Sequence, residues 1–142
     1  MAKILAICIS QKKGTVKHPV PSAQFVKEHG IEGDAHAGPW HRQISLLSSL
    51  KIEAFRQKGI DVPWGAFGEN IVAPVDFRSL PVGTRLQVGP AVLEITQIGK
   101  TCHTDCAIRQ QVGDCIMPRE GVFARVLQGG TVCQGDEITV LR

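Results

Sequence analysis

At 142 residues with 43% hydrophobic content, the chain is sized for one domain, 1–142, that buries a core without disulfide or metal staples. Its formal net charge of +3 comes from 16 basic and 13 acidic residues scattered along the sequence, without the long like-charge run of a dedicated nucleic-acid binder. Five cysteines without a secretion signal read as reduced thiols of a cytoplasmic protein, and the opening apolar run is too short to span a membrane.

Residues 3 to 9 are rich in Ile, Leu and Cys with no breaker, which predicts a buried strand. Gln11 to Pro21 reads as a loop carrying Lys12, Lys13, Lys17 and His18, either a solvated connection or a rim for an anion. Gly30 to Arg42 is unusual in holding Gly30, Gly33 and Gly38 together with Asp34, His36, His41 and Arg42. Its glycines permit positive φ and close approach to a ligand; Asp34, His36 and His41 either ligate a metal or fix the loop by hydrogen bonds. Gln43 to Leu47 predicts a strand, and Ser48 or Ser49 caps a helix that runs through Ile52 and Phe55 to Gly59, with Ile52, Phe55 and Leu50 as its core side. Pro63 to Val72 is a turn entering a strand; Glu69 and Asn70 there either bind backbone groups at a crossing or face a ligand.

Beyond the Leu80–Thr84 turn the pattern becomes regular. Arg85–Val88 and Ala91–Ile98 form a hairpin about Gly89 and Pro90, and Val122–Leu127, Thr131–Cys133 and Glu137–Leu141 supply further strands. Seven or more short strands with one clear helix favour a mainly β, closed or nearly closed barrel over a parallel α/β sheet. Cys8 and Cys133 lie inside strand-like runs and are read as structural.

The stretch Gly99 to Arg109 concentrates the chemistry. Cys102 and Cys106 are four residues apart and can converge on one ion, and Lys100, His103 and Arg109 favour thiolate beside them. A thiolate is both a nucleophile and a soft-metal ligand, so a reactive or metal-bound cysteine is the first expectation.

In this order of elements the sequence resembles a MOSC domain, the module named after the C-terminal part of molybdenum cofactor sulfurases. The resemblance rests on Gly30-Ile31-Glu32-Gly33-Asp34-Ala35-His36, His41-Arg42-Gln43-Ile44-Ser45-Leu46-Leu47, Gly68-Glu69-Asn70-Ile71 and Leu80-Pro81-Val82-Gly83. It continues through the cysteine segment to Gly121-Val122-Phe123-Ala124-Arg125-Val126-Leu127 and Gly135-Asp136, and looks like the small stand-alone bacterial form. It implies a MOSC-type β-barrel with one or two short helices and an exposed cysteine that carries sulfur or coordinates molybdenum held by its pterin.

The family's cysteine would be Cys106, as catalytic thiol and metal ligand, because it follows the strand and turn and precedes Ala107-Ile108; Cys102 is the other candidate. Lys100, Arg42, His41, His103, Arg109 and Asp34 would surround the molybdenum cofactor (molybdopterin). The implied function is to carry, sulfurate or insert that cofactor, with a molybdenum-cofactor biosynthesis protein or molybdoenzyme as partner. A cysteine desulfurase holding pyridoxal phosphate would be a separate protein, and neither nucleic acid nor a membrane is an expected partner. Two alternatives are a molybdenum-dependent component that reduces N-hydroxylated compounds, and a structural zinc or thiol-redox protein built on Cys102, Cys106, Cys115 and His103.

Overall fold

The opening apolar run splits at Leu5, which turns outward. In the computed structural model, which describes residues 2–13, 15–59, 61–99 and 116–141, Ala2–Lys3 forms β1 and Ala6–Ile9 forms β2. Strand β1 pairs antiparallel with the last strand, β12 (Glu137–Leu141), whereas β2 pairs with β7 (Ile71–Ala73). The hand-over is fixed by Ile4 N donating to Asp136 O and Leu5 N donating to Val72 O. One strand over residues 3 to 9 was the sequence expectation; the single apolar run instead changes partner midway, and each half buries a different set of neighbours.

Between these lie β3 (His18–Val20), β4 (Ser22–Val26), β5 (Gly30–Ile31) and β6 (Ile44–Ser48), followed by helix α1 (Ser49–Arg56). After β7 come a 3₁₀ turn at Phe77–Ser79, the β8 (Arg85–Val88) and β9 (Ala91–Ile98) hairpin, helix α2 (Met117–Glu120), β10 (Val122–Gln128) and β11 (Gly130–Cys133). Nine strands form one sheet in the order β1-β12-β8-β9-β10-β6-β7-β2-β3, and β11-β4-β5 form a second. The large sheet curls strongly into a half-barrel and leaves β1 and β3 as its edges, so the fold is mainly β with short helices. The region from Gln11 to Pro21, expected as loop throughout, contributes edge strand β3, where Pro19 is tolerated.

The central strands are buried on both faces, which explains their unbroken apolar sequence. On β6, Ile44 and Leu46 enter the barrel core with Phe25, Ile71, Leu93 and Val126. Leu47 on the opposite face joins Ile52, Phe55, Phe67 and Phe123 beneath α1. Period-two alternation thus becomes a continuous apolar run once both faces are covered. Ser48 is the helix N-cap, its Oγ accepting from Leu50 N at 3.2 Å. Ile52 and Phe55 face the core as their spacing requires, but Leu50 is 60% exposed and does not belong to that side. Among the described residues no helix is long and apolar enough to cross a membrane.

Candidate functional site

The β9–β10 pair ends where the cysteine segment begins. Gly99 N donates to Gly121 O at 2.7 Å, so the two flanks of the intervening chain are tied together at one end of the half-barrel. Ile116 and Met117 bury into the cluster beneath α1 and anchor the returning side. The candidate residues Lys100, Cys102, His103, Cys106 and Arg109, and Cys115 with them, lie outside the described residues.

His41 and Arg42 assemble beside this root. His41 Nε2 pairs with Gln97 Oε1 at 2.8 Å, and Gln97 Nε2 donates to Gly99 O at 2.7 Å, which links the histidine to the last residue before the cysteine segment. Thr96 Oγ1 donates to the His41 carbonyl and holds the loop backbone on β9. The Arg42 guanidinium lies 4.6 Å from the Trp40 ring centre and 5.7 Å from that of Phe123, the residue paired with Gln97 across β9–β10. Lys13 Nζ also sits over Trp40, at 4.7 Å. A tryptophan face attracts cations through its quadrupole, so one ring gathers two positive charges from loops distant in sequence. Among the described residues neither Lys13 nor Arg42 forms an ion pair, and Arg42 Nε is buried without a hydrogen-bond partner. A cleft of about 400 Å³, lined by Glu28, Pro39, Trp40, His41, Thr96 and Arg125, opens alongside.

Asp34 supports this loop from beneath. Its Oδ1 accepts from Lys17 Nζ at 2.7 Å and from Ser10 N at 3.1 Å, while Oδ2 accepts from His36 N at 3.2 Å. Both partners of the Lys17–Asp34 ion pair are shielded from solvent along their whole side chains. Burial holds the Lys17 amine below its ordinary value, against the opposing pull of Asp34. Lys17 was expected on an exposed loop; it turns inward, where Asp34 supplies the compensating charge and Ser10 Oγ a further acceptor. Trp40 Nε1 donates to His36 O at 2.7 Å, and the Trp40 indole lies within 4° of parallel to the His36 ring. Among the described residues no three His, Cys, Asp or Glu side chains group as a metal ion would need. Of the two alternatives left open for Asp34 and His41, the structure shows both tied into loop-fixing hydrogen bonds.

Glu69 and Asn70 are wholly buried and bind backbone, Glu69 within its own turn and Asn70 between two strands. The Glu69 carboxylate accepts from Gly65 N at 2.8 Å and Phe67 N at 3.0 Å; burial nevertheless pushes its carboxyl up. Asn70 Oδ1 accepts from Ser45 N at 2.9 Å, and its Nδ2 donates to Cys8 O at 2.9 Å, so one amide joins β2 to β6. Cys8 is buried against this group and its thiol is pushed up to about 12, first by burial and then by Glu69, which removes it from thiolate chemistry. Sequence reasoning missed Lys17 as a buried partner, and missed Gln97 and Trp40 as parts of the site. Lys17 carries no sequence signal beyond the Asp34 it pairs with across 17 positions.

Residues 32–139 match the MOSC domain family. This chain belongs to the MOSC domain family. The MOSC fold here is similar to that of the YuaD protein from Bacillus subtilis, with a TM-score of 0.77 and 23% identity over 96% of this chain and 93% of that one. It is similar as well to YiiM from Geobacillus stearothermophilus, with a TM-score of 0.77 and 20% identity over 100% of this chain and 76% of that one. YiiM from Escherichia coli aligns with a TM-score of 0.71 and 15% identity over 99% of this chain and 70% of that one. No curated protein matches the sequence. MOSC domains are commonly linked to molybdenum cofactor binding. The described side chains fit an anionic, phosphate-bearing group of that kind, since Arg42 Nε is a buried donor and Lys13 a second cation on the same tryptophan, neither residue ion-paired among the described residues.

Proposed function

We propose that this MOSC protein binds the molybdenum cofactor through Cys106, with Cys102 as the second candidate thiol, and carries or hands on that cofactor. The supporting observation is that His41 and Arg42, fixed by Gln97 and Phe123, stand at the root of the segment bearing both cysteines. Arg42 and Lys13 would hold the phosphate, with Trp40 as their common platform. His41 would line the adjacent wall, its orientation set by Gln97. When bound, the cofactor supplies a thiophilic molybdenum centre suited to a thiolate ligand. Sulfuration or insertion into an acceptor needs a partner protein, and a cysteine desulfurase holding pyridoxal phosphate would be the source of sulfur.

The test is anaerobic incubation of reduced protein with isolated molybdenum cofactor, followed by metal analysis of the desalted chain. Wild type is expected to retain molybdenum, Cys106→Ser to lose it, and Arg42→Ala to hold it about tenfold more weakly, the usual scale for a charged hydrogen bond. Stoichiometric zinc without molybdenum in folded wild type would overturn this function, as would equal molybdenum retention by Cys106→Ser and Cys102→Ser.

A further inference from the structure

The cleft beside Trp40 carries charged groups that the phosphate end of the proposed site does not use. Glu28 stands at the tip of the β4–β5 hairpin with its backbone in the left-handed region, at φ +54°, uncommon for a residue with a side chain. Two bonds hold the tip there: Glu28 N donates to Val126 O at 2.9 Å, and Gly38 N donates to His29 O at 2.7 Å. The Glu28 side chain is 47% exposed. Among the described residues its carboxylate accepts only from Arg125 Nη1, at 3.3 and 3.5 Å, near the outer limit of a hydrogen bond. Arg125 is held more closely by Glu94, whose Oε1 accepts from Nε at 2.9 Å, and its Nη2 has no hydrogen-bond partner among the described residues. Both Glu28 oxygens therefore keep lone pairs for a ligand, next to a spare guanidinium donor.

His41, on the same cleft, adds an acceptor. Gly99 O can only accept, so Gln97 turns its amide nitrogen to it and its oxygen to His41, and the shared proton is on His41 Nε2. In the neutral ring Nδ1 then offers a lone pair, and it has no partner among the described residues. The opposite sign gathers at Trp40, where Arg42 and Lys13 lie 4.6 and 4.7 Å from the ring centre. Pro39 and Trp40 give the cleft an apolar wall, and its volume of about 400 Å³ has room for a small ring system.

We infer that this cleft takes a planar heterocycle by an aminopyrimidinone face: the Glu28 carboxylate accepts from the exocyclic amino group and the adjacent ring N–H, and Arg125 donates to the ring carbonyl beyond them. Acceptor, acceptor, donor on the protein answers donor, donor, acceptor on the ring, and two parallel bonds fix the plane of the ring as well as its position. That face belongs to a pterin and to guanine alike. Its assignment to the pterin of the molybdenum cofactor rests on the function proposed above, with the phosphate at Lys13 and Arg42; recognition of the face by Glu28 does not.

The test uses free rings and no metal. Binding is followed in ¹H–¹⁵N spectra through the Trp40 indole signal, one of two in the chain, assigned by its loss in Trp40→Phe. Carboxypterin is compared with carboxylumazine, which has a carbonyl where the pterin has its amino group, and guanosine monophosphate with inosine monophosphate, which lacks that group. Wild type is expected to prefer the amino ring about tenfold in at least one pair, the scale of one charge-assisted hydrogen bond. Glu28→Gln, a change at an exposed tip, is expected to abolish the preference. Each pair shares its charge, so any long-range effect of removing the carboxylate acts on both members alike. Where both pairs show the preference, the tighter amino ligand names the source; where one does, that pair names it. Equal or absent binding within both pairs, or a preference that survives in folded Glu28→Gln, overturns the inference.

Molybdenum retention separates this inference from the function it builds on. Glu28→Gln is expected to hold the cofactor about tenfold more weakly than wild type. Equal retention by the two overturns the assignment to the cofactor's pterin. Wild type that retains molybdenum and shows no ring preference overturns recognition at Glu28 and leaves the cofactor function standing. Wild type that retains none and keeps the ring preference defeats that function and leaves recognition at Glu28 standing.

Discussion

Lys17 Nζ lies 2.7 Å from Asp34 Oδ1 with both side chains fully shielded, so the floor of the Trp40 loop is a buried ion pair. Its value lies in mutual dependence, because desolvating either charge alone costs more than the pair returns. Asp34→Ala is expected to destabilise the fold by about 3–5 kcal/mol by stranding the lysine. The Lys17→Met/Asp34→Asn double variant should lose much less than the sum of its single changes, a coupling that urea unfolding of the four proteins measures. Additive losses would show that the two charges act independently.

Glu69 gives the stability a definite pH slope. Burial raises its folded-state value above the ordinary 4.5, so between the two values the folded chain holds a proton that the unfolded chain has released. Stability from this group is therefore greatest at and below 4.5 and falls as pH rises through the window, by up to about 1.4 kcal/mol per pH unit. Glu69→Gln should be less stable than wild type near pH 5, because its amide meets a backbone N–H, and the gap should narrow towards pH 8. Parallel unfolding profiles across that range would remove Glu69 as the cause.

Cys8 and Cys133 should separate in an alkylation experiment. Cys8 is buried and its thiol is pushed up to about 12, whereas Cys133 is exposed on β11. Iodoacetamide at pH 8 followed by peptide mapping is expected to label Cys133 in the native protein and Cys8 only after denaturation. Equal labelling of the two in folded protein would contradict the packing of β2.

Gly65 and Gly83 share a left-handed backbone, at φ +93° and +97°, but differ in surroundings. A methyl at Gly83 meets nothing within 4 Å, so Gly83→Ala is expected to cost only the backbone strain, about 1–2 kcal/mol. At Gly65 the added carbon collides with the Lys17 carbonyl, and Lys17 is pinned there by its backbone N–H donating to Gly65 O at 2.8 Å. Gly65→Ala should therefore cost about 3 kcal/mol or more and loosen the Lys17 loop with it. Thermal unfolding of the two variants side by side checks the contrast.

The sequence by itself determined the mainly β class, the Arg85–Ile98 hairpin, the Ser48-capped helix and the MOSC family, because turn glycines, capping and apolar runs are local signals. It also singled out His41 and Arg42, through the order of short motifs. Only the tertiary structure decided that the first apolar run serves two strands, and that β4 leaves the main sheet to pair with β11. It alone decided that Glu69 and Asn70 bind backbone, and that Lys17 is internal. The physical reason lies in contacts and burial that no local pattern encodes. For Lys17 and Asn70 the deciding partners lie 17 and 62 positions away, and strand pairing is likewise non-local, whereas Glu69 binds the nearby Gly65 and Phe67 amides and only burial removes its alternative of facing a ligand.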